Sequence, residues 1–291
     1  MVRFITYSRK GDDTKTPHFA AKRGDKYIPL DGSATPWSSL KDLLKEGKEG
    51  LALAKNILTE GSEVLSSQDI VILPPIPNPQ KVLCVGLNYA DHAAETGAKI
   101  PAEPLIFNKL PTTVAAHHDK VVLPKVSQKV DFEGELVVVI GKEGKNIAVE
   151  KALNHVAGYC CGHDVSARDW QKEKPGEQWL LGKSFDTFAP YGPELVTADE
   201  IRNPHDLGVQ LRINGEVMQN SRTREFIFNI DYLIAYISQV CTLAVGDLIF
   251  TGTPPGVGVA RNPPRFLQEG DLVEVEIETI GILKNEFVYE K

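Results

Sequence analysis

The chain has 291 residues, 42% of them hydrophobic and 24 of them glycine, enough to bury the core of one large domain or two and unlike a disordered or collagen-like composition. Lysine and arginine number 32 against 39 aspartate and glutamate, a net charge of −7 with no long basic run, which argues against nucleic acid or an anionic membrane as partner. No apolar run approaches the roughly 18–20 residues that span a bilayer, and the opening MVRFITYSRKGDD lacks a signal-peptide apolar stretch, so secretion is not expected.

In chain order, VRFITYS, PHFAAKR and KYIPL read as short strands separated by Gly, Asp and Lys turns. WSSLKDLLKEG and EGLALAKNILTEG follow, the second with Leu53, Ile57 and Leu58 at helical spacing. Pro74, Pro75, Pro77 and Pro79 then force an extended stretch. That stretch is read as the connection between a small N-terminal α/β domain, 1–76, and a larger domain, 77–291. From residue 81 strands dominate: KVLCVG, KVVLP, ELVVVIG, HVAGYCCGHD, GVQLRING, DLIFTG and DLVEVEIET. In the last of these, Leu272, Val273, Val275 and Ile277 largely alternate with Glu274, Glu276 and Glu278, as in a strand with one solvated face. Asn214-Gly215 is a two-residue hairpin signal. One helix is well marked, with Asn229 or Asp231 as cap and Ile230, Leu233, Ile234, Ile237 and Cys241 as its apolar stripe. Many strands and few helices give a β-rich α+β fold with mixed strand pairing. The four cysteines, Cys84, Cys160, Cys161 and Cys241, form no C-x-x-C pair, which speaks against structural zinc. They point to a reducing compartment: the cytoplasm, or the mitochondrial matrix if a transit peptide has been removed.

Five stretches can carry chemistry. In Asp131-Phe132-Glu133-Gly134-Glu135, the two glutamates are two apart, so on a strand they share a face, and Gly134 leaves the opposite face bare. Adjacent carboxylates repel unless a proton or a cation lies between them, and a hard divalent ion prefers such ligands; an exposed strand end has the same spacing. In GHDVSARDWQ, an apolar strand ends at His163-Asp164, where Asp164 could be a third oxygen ligand, and Arg168 and Gln171 would share a helical face fit to grip a carboxylate and a carbonyl. The alternative is that Asp164 caps a helix and Arg168 pairs with an exposed acid. In GLNYADHAAE, His92 and Glu95 are helix neighbours, the arrangement of a general base and its orienting carboxylate on a short lid, here 88–101; a surface helix with an incidental pair fits as well. Gly182-Lys183-Ser184 resembles the tail of a phosphate loop, but Glu177 stands where glycine is required, so nucleotide binding is rejected. Lys183, in an apolar segment, then needs either a site carboxylate or a substrate anion. Thr251-Gly252-Thr253-Pro254-Pro255-Gly256 is both a rigid turn and a source of hydroxyl and N–H donors for a carboxylate. His117-His118 is read as surface, because neighbouring strand residues point to opposite faces.

Together and in this order, GLNYADHAAE, DFEGELVVVIGK, GHDVSARDWQ, LLGKSFDTFAPYGP, NGEVMQNS and GDLIFTGTPPGVG resemble the fumarylacetoacetate hydrolase family, closest to its domain-containing-protein branch, from about residue 80 to the C-terminus. The resemblance implies a mixed-sheet roll behind a small N-terminal domain, a homodimer, and one Mg²⁺ or Mn²⁺ per subunit, with Ca²⁺ able to replace it in crystals. It implies Glu133, Glu135 and Asp164 as metal ligands, His92 and Glu95 as the water-activating lid dyad, and Lys183 as the active-site lysine. It further implies Lys109, Arg168, Gln171 and Thr253 as substrate contacts. The substrates implied are small 2-oxo acids bearing a second carbonyl or carboxyl. Acylpyruvate or fumarylpyruvate C–C hydrolysis is the first activity expected, and oxaloacetate tautomerisation or decarboxylation at the same site is the alternative. A non-catalytic, metal-stabilised binding module is the rival from another class, and the intact His92–Glu95 pair speaks against it, since metal binding alone needs neither residue.

Overall fold

The computed structural model describes residues 2–31, 35–61, 64–97 and 99–291; Ala98, inside the expected lid, lies outside them. In chain order the elements are β1 (Arg3–Arg9), β2 (His18–Arg23), β3 (Lys26–Pro29), α1 (Leu40–Lys45), α2 (Gly47–Glu60), β4 (Leu65–Ser66), β5 (Ile70–Leu73), β6 (Val82–Gly86), α3 (Ala90–Thr96), β7 (Leu105–Lys109), β8 (Val114–Ala115), β9 (Lys120–Leu123), β10 (Val130–Asp131), β11 (Gly134–Ile140), β12 (Val156–His163), β13 (Ser166–Ala167), α4 (Trp179–Lys183), β14 (Ala189–Thr197), β15 (Gly208–Ile213), β16 (Glu216–Arg222), α5 (Ile230–Val240), β17 (Leu248–Phe250), β18 (Leu272–Ile277) and β19 (Gly281–Tyr289). All seven strands expected beyond residue 81 are present.

One sheet runs β4-β3-β2-β1-β14-β12-β11-β17-β6-β7, with β5 on β1 and β8 on β14. A second, β16-β15-β18-β19-β9, packs against it. Pairing is mixed: β6/β17, β8/β14 and β9/β19 are parallel, the rest antiparallel. The segment 1–76 is joined to the larger sheet through β1, where Arg3 and Phe4 pair with Val196 and Leu195 of β14. The chain is therefore a β-rich α+β protein.

The central strand β11 explains why the site lies where it does. All seven of its residues are buried, as a run of Leu, Val and Ile must be when both faces are covered. Leu136, Val138 and Ile140 face the second sheet, in a cluster with Leu211, Val273 and Val275. Val137 and Val139 face the other way, toward Phe4, Trp37 and Leu40. The period of two puts Gly134 on the second-sheet side, where an added Cβ would lie 3.3 Å from both Leu211 Cβ and Val275 Cγ1. Glycine there lets the two sheets close, and its neighbours Glu133 and Glu135 point to the opposite side.

The Asn214-Gly215 hairpin forms between β15 and β16, both residues at positive φ (51° and 84°), the geometry of a type I′ turn. Three expectations are revised. Leu272 is exposed and does not share the inward face of Val273, Val275 and Ile277, because it has the parity of the glutamates. Asn229 is the N-cap of α5 but makes no side-chain cap bond. His117 and His118 occupy a turn rather than a strand, His118 at φ 69°, with ring centroids 3.9 Å apart; the strand alternation that separated them does not apply. The four cysteines are free, and Cys160 and Cys161 are packed thiols. No described helix is long and apolar enough to cross a membrane.

Candidate active site

Sheet register brings the FEGE and GHD motifs side by side. Antiparallel β11 and β12 pair Gly134 with His163 and Glu135 with Gly162, and Asp164 N–H donates to Glu133 O (2.9 Å) just past the ladder. Oxygen atoms of Glu133, Glu135 and Asp164 lie within 4.8 Å of one another, and all three residues are buried. Asp164 caps no helix: a short strand, β13, and a five-residue π-type turn, Asp169–Glu173, follow it.

Three cations enter this cluster from three other elements. Lys183, at the end of α4, donates to Glu133 Oε2 (2.7 Å) and Asp164 Oδ2 (2.9 Å), its Nζ 5.0 Å from the Phe107 ring centroid. The apolar segment that made Lys183 look odd is the wall around this ion pair. Lys109, at the end of β7, donates to Asp164 Oδ1 and to Val165 O. Arg168 donates from Nε to Asp131 Oδ2 (2.8 Å), from one terminal nitrogen to Gln171 Oε1 (2.9 Å) and from the other to Glu133 Oε1 (2.5 Å). Its acids are thus buried ones, not the exposed partner of the alternative reading. Gln171 is 1% exposed, and α4 reaches it only because Gly182 has no side chain: a Cβ there would lie 2.6 Å from Gln171 N.

Burial would raise the Glu133 carboxyl, but the charges of Lys183 and Arg168 hold it well below the usual carboxylate range. Glu135, two residues away, goes the other way. Burial pushes it up, the charges of Asp164 and Glu133 add to that, and Lys183 and the Gly252 N–H only partly offset them. Burial opposes the charge on both lysines; it wins at Lys109, which is lowered, and loses at Lys183, where Asp164 and Glu133 raise it. His163 is held down to about 3 by burial and by Lys109, so its imidazole is neutral.

The turn after β17 ties this cluster to α3. Gly252 N–H donates to Glu135 Oε2 (2.9 Å). Gly256 N–H donates to both carboxyl oxygens of Glu95 (2.9 and 3.1 Å), and Glu95 Oε2 lies 3.0 Å from His92 Nδ1. His92 is 8% exposed, and α3 is pinned a second time by Ser221 Oγ donating to Asp91 Oδ2 (2.5 Å). Within the pair His92 is buried, while Glu95 lies at the exposed edge of α3. A neutral imidazole that donates from Nδ1 to a carboxylate carries its basic lone pair on Nε2. Thr253 lies beside Glu135, but its hydroxyl donates to Gly134 O (3.1 Å) and accepts from Gln219 Nε2 (2.8 Å). What that hydroxyl retains for a substrate is an acceptor lone pair.

Two supporting residues escaped the sequence reading. Gln219 links Gly134 N–H, Thr253 and Pro254 O; nothing in NGEVMQNS separates it from an ordinary strand residue. Asn88 joins Thr251 O, Phe228 O and Phe228 N–H at the foot of the lid. For both residues, a place inside a recognised motif was the available signal.

The match to known proteins covers the stretch that carries these residues. Residues 81–288 fit the family model described as fumarylacetoacetate (FAA) hydrolase C-terminal. The chain belongs to the fumarylacetoacetate hydrolase family. It is 49% identical over 249 residues to the protein named oxaloacetate tautomerase fahd2, mitochondrial, of Xenopus laevis, covering 86% of this chain and 78% of that one. It is 46% identical over 275 residues to oxaloacetate tautomerase FAHD2A, mitochondrial, of Bos taurus, covering 94% and 88%. The solved structure of the fumarylacetoacetate hydrolase of Exiguobacterium antarcticum superposes with a TM-score of 0.85 at 32% identity, covering both chains fully. The chain is thus an enzyme of this family, with an acidic triad able to hold a metal ion.

Proposed function

We propose that this enzyme interconverts the enol and keto forms of oxaloacetate, or of a closely similar small 2-oxo diacid, with Mg²⁺ or Mn²⁺ held by Glu133, Glu135 and Asp164. The likeness to two proteins named oxaloacetate tautomerase, over 86% and 94% of the chain, carries this reading. It moves the alternative drawn from the sequence ahead of acylpyruvate hydrolysis. The same names include a mitochondrial location, which supports the matrix over the cytoplasm.

The donor set suits a hard cation: three buried carboxylates converge, and one of them, Glu135, has a backbone amide rather than a cation as its bonded partner. Such an ion supplies Lewis-acid stabilisation of an enolate oxygen. The chain's own groups supply the rest. With all four acids ionised, as a bound divalent cation would require, Asp131, Glu133, Glu135 and Asp164 face Lys109, Arg168 and Lys183 with one negative charge in excess. A divalent cation reverses that sign, giving a centre that attracts a dianionic substrate. Gln171 turns its amide oxygen to Arg168, leaving its N–H groups for a substrate oxygen. Lys183 and Lys109 place N–H donors where oxyanion charge develops. His92, oriented by Glu95, gives a proton to C3 as the enol hydroxyl loses one, or takes it back in reverse, so that one proton moves net between oxygen and C3 and no carbon–carbon bond breaks.

Hydrolysis is the second reading. It is favoured by the hydrogen-bonded His92–Glu95 pair, which is equally suited to activating water, and by the likeness to a fumarylacetoacetate hydrolase. The test is a panel of enol-oxaloacetate, keto-oxaloacetate, acylpyruvates and fumarylpyruvate, each with Mg²⁺, Mn²⁺ and chelator. Metal-dependent ketonisation far above solution background, with weak acylpyruvate cleavage, is the expected result. Faster acylpyruvate cleavage reverses the order, and no turnover at all points to a binding module. The expected homodimer is checked by light scattering on the same preparation.

A further inference from the structure

We propose that Asp131 is a positioning residue, which fixes the guanidinium of Arg168 so that Glu133 is presented as a ligand and the Arg168–Gln171 edge is presented to substrate. The proposal rests on the reading of Glu133 as a metal ligand given above and assigns a role to a carboxylate outside the acidic triad.

Asp131 is fully buried and precedes Glu133 by two residues. Four N–H donors converge on it. Oδ1 accepts from Phe132 N (2.8 Å) and Gly258 N (2.6 Å), and Oδ2 accepts from Val259 N (3.1 Å) and Arg168 Nε (2.8 Å). Every donor points inward, so the side chain must be an acceptor at both oxygens. A carboxylate meets that demand and an amide cannot: whichever way Asn is turned, its NH₂ faces two N–H groups. The loop side is equally tight, since a Cβ on Gly258 would lie 1.9 Å from Arg265 O and 2.5 Å from Asp131 Oδ1.

Arg168 is held at each of its three nitrogens by a different side chain, Asp131, Gln171 and Glu133. A planar guanidinium fixed at Nε has no remaining freedom to rotate about its long axis. Asp131 therefore sets the plane in which Arg168 meets Glu133. It also sets a limit: with one cation shared between two carboxylates, Glu133 is not sequestered by Arg168 alone. Through Gly258 and Val259 the same turn that holds Glu135 by Gly252 and Glu95 by Gly256 also holds this support.

The experiment is a double-mutant cycle over Asp131→Asn and Arg168→Ala in the full chain, read by Mn²⁺ affinity in calorimetry and by KM and kcat for enol-oxaloacetate. Loss of a group that supports a metal ligand costs about 10–100-fold in metal affinity or activity, and D131N is expected to weaken Mn²⁺ binding and raise KM within that range. The double variant should bind Mn²⁺ no more weakly than R168A, because Asp131 acts through Arg168. Full additivity of the two losses, or a D131N Mn²⁺ affinity within about twofold of wild type, overturns the proposal. If D131N does not fold, Arg168→Lys serves in its place. It keeps the charge and the buried Asp131 but cannot bridge Asp131 and Glu133, so it should show the same loss, and wild-type Mn²⁺ affinity in R168K overturns the proposal. The Mn²⁺ arm does not depend on the substrate. If wild-type enzyme binds Mn²⁺ but does not ketonise oxaloacetate, the functional reading fails while the cycle still decides the role of Asp131.

Discussion

The carboxylate bed on β11 and β12 and the His92–Glu95 helix are built differently. The bed sits on a central strand buried on both faces, and its acids are held by cations from β7, α4 and the turn after β13. The dyad sits on a seven-residue helix that ends at Gly97 in the left-handed conformation. Side-chain and backbone bonds from Ser221 and Gly256 pin that helix. An isolated helix of that length is not stable in water, so α3 owes its shape to those contacts and to the burial of Tyr89, His92 and Ala93. The rigid element thus carries the groups whose geometry must not change. His92 and Glu95 sit on a short helix held by tertiary contacts.

Breaking the bed should have the largest effect. Glu135→Ala removes a ligand, and the expected outcome is loss of every metal-dependent activity to background, matched by chelator on the wild-type enzyme and reversed by added Mg²⁺ only in the latter. Retained turnover in E135A would mean that the bed is not a metal site.

Breaking the dyad should be smaller and separable. His92→Ala is expected to lower kcat by about 10²–10⁴-fold, the usual worth of a positioned acid–base group, while Mn²⁺ affinity stays within about twofold. A parallel fall in metal affinity would show that lid and bed are one unit. Within the panel, His92→Ala should depress any acylpyruvate hydrolysis far more than oxaloacetate decarboxylation, because only hydrolysis needs an activated water.

Loosening the lid should be milder again. Ser221→Ala removes one hydrogen bond to a charged carboxylate, worth about 1.5–3 kcal/mol when charge is involved. Hydrogen exchange over 90–97 should rise by about tenfold or more, with the amides of β11 unchanged. Equal protection in both proteins would show that α3 does not open through this contact.

The smallest effect lies outside both regions and serves as a control. Burial, with the charges of His118 and Lys284, holds His117 down to about 4 from an ordinary 6.5. The folded state then binds fewer protons than the unfolded chain between those values, so this contribution is complete above about pH 6.5 and is lost as pH falls toward 4. His117→Gln should flatten the fall of stability with pH across that window, measured as Tm against pH. Oxaloacetate ketonisation at pH 7 should not change, and a change there would tie His117 to the site.

The sequence by itself carried the local half of this protein. Runs rich in Val, Ile and Leu named the strands, Asn214-Gly215 named a hairpin, and the spacing of Glu133 and Glu135 put both on one face. The i,i+3 spacing paired His92 with Glu95. The six motifs named the family. Each of these signals is read within a few residues, where backbone geometry fixes direction. Tertiary structure decided which partner each charge received. Lys183 meets Glu133 across 50 positions, Gly252 meets Glu135 across 117 and Gly258 meets Asp131 across 127, distances set by sheet register rather than by any local pattern. The same cause hid β14, a central strand despite Pro190 and Pro193, since proline ordinarily excludes a sequence from that place and only the neighbours β1, β8 and β12 supply the pairing. It also made opposites of Glu133 and Glu135, alike in type, face and burial, because two cations reach the first while a backbone amide holds the second.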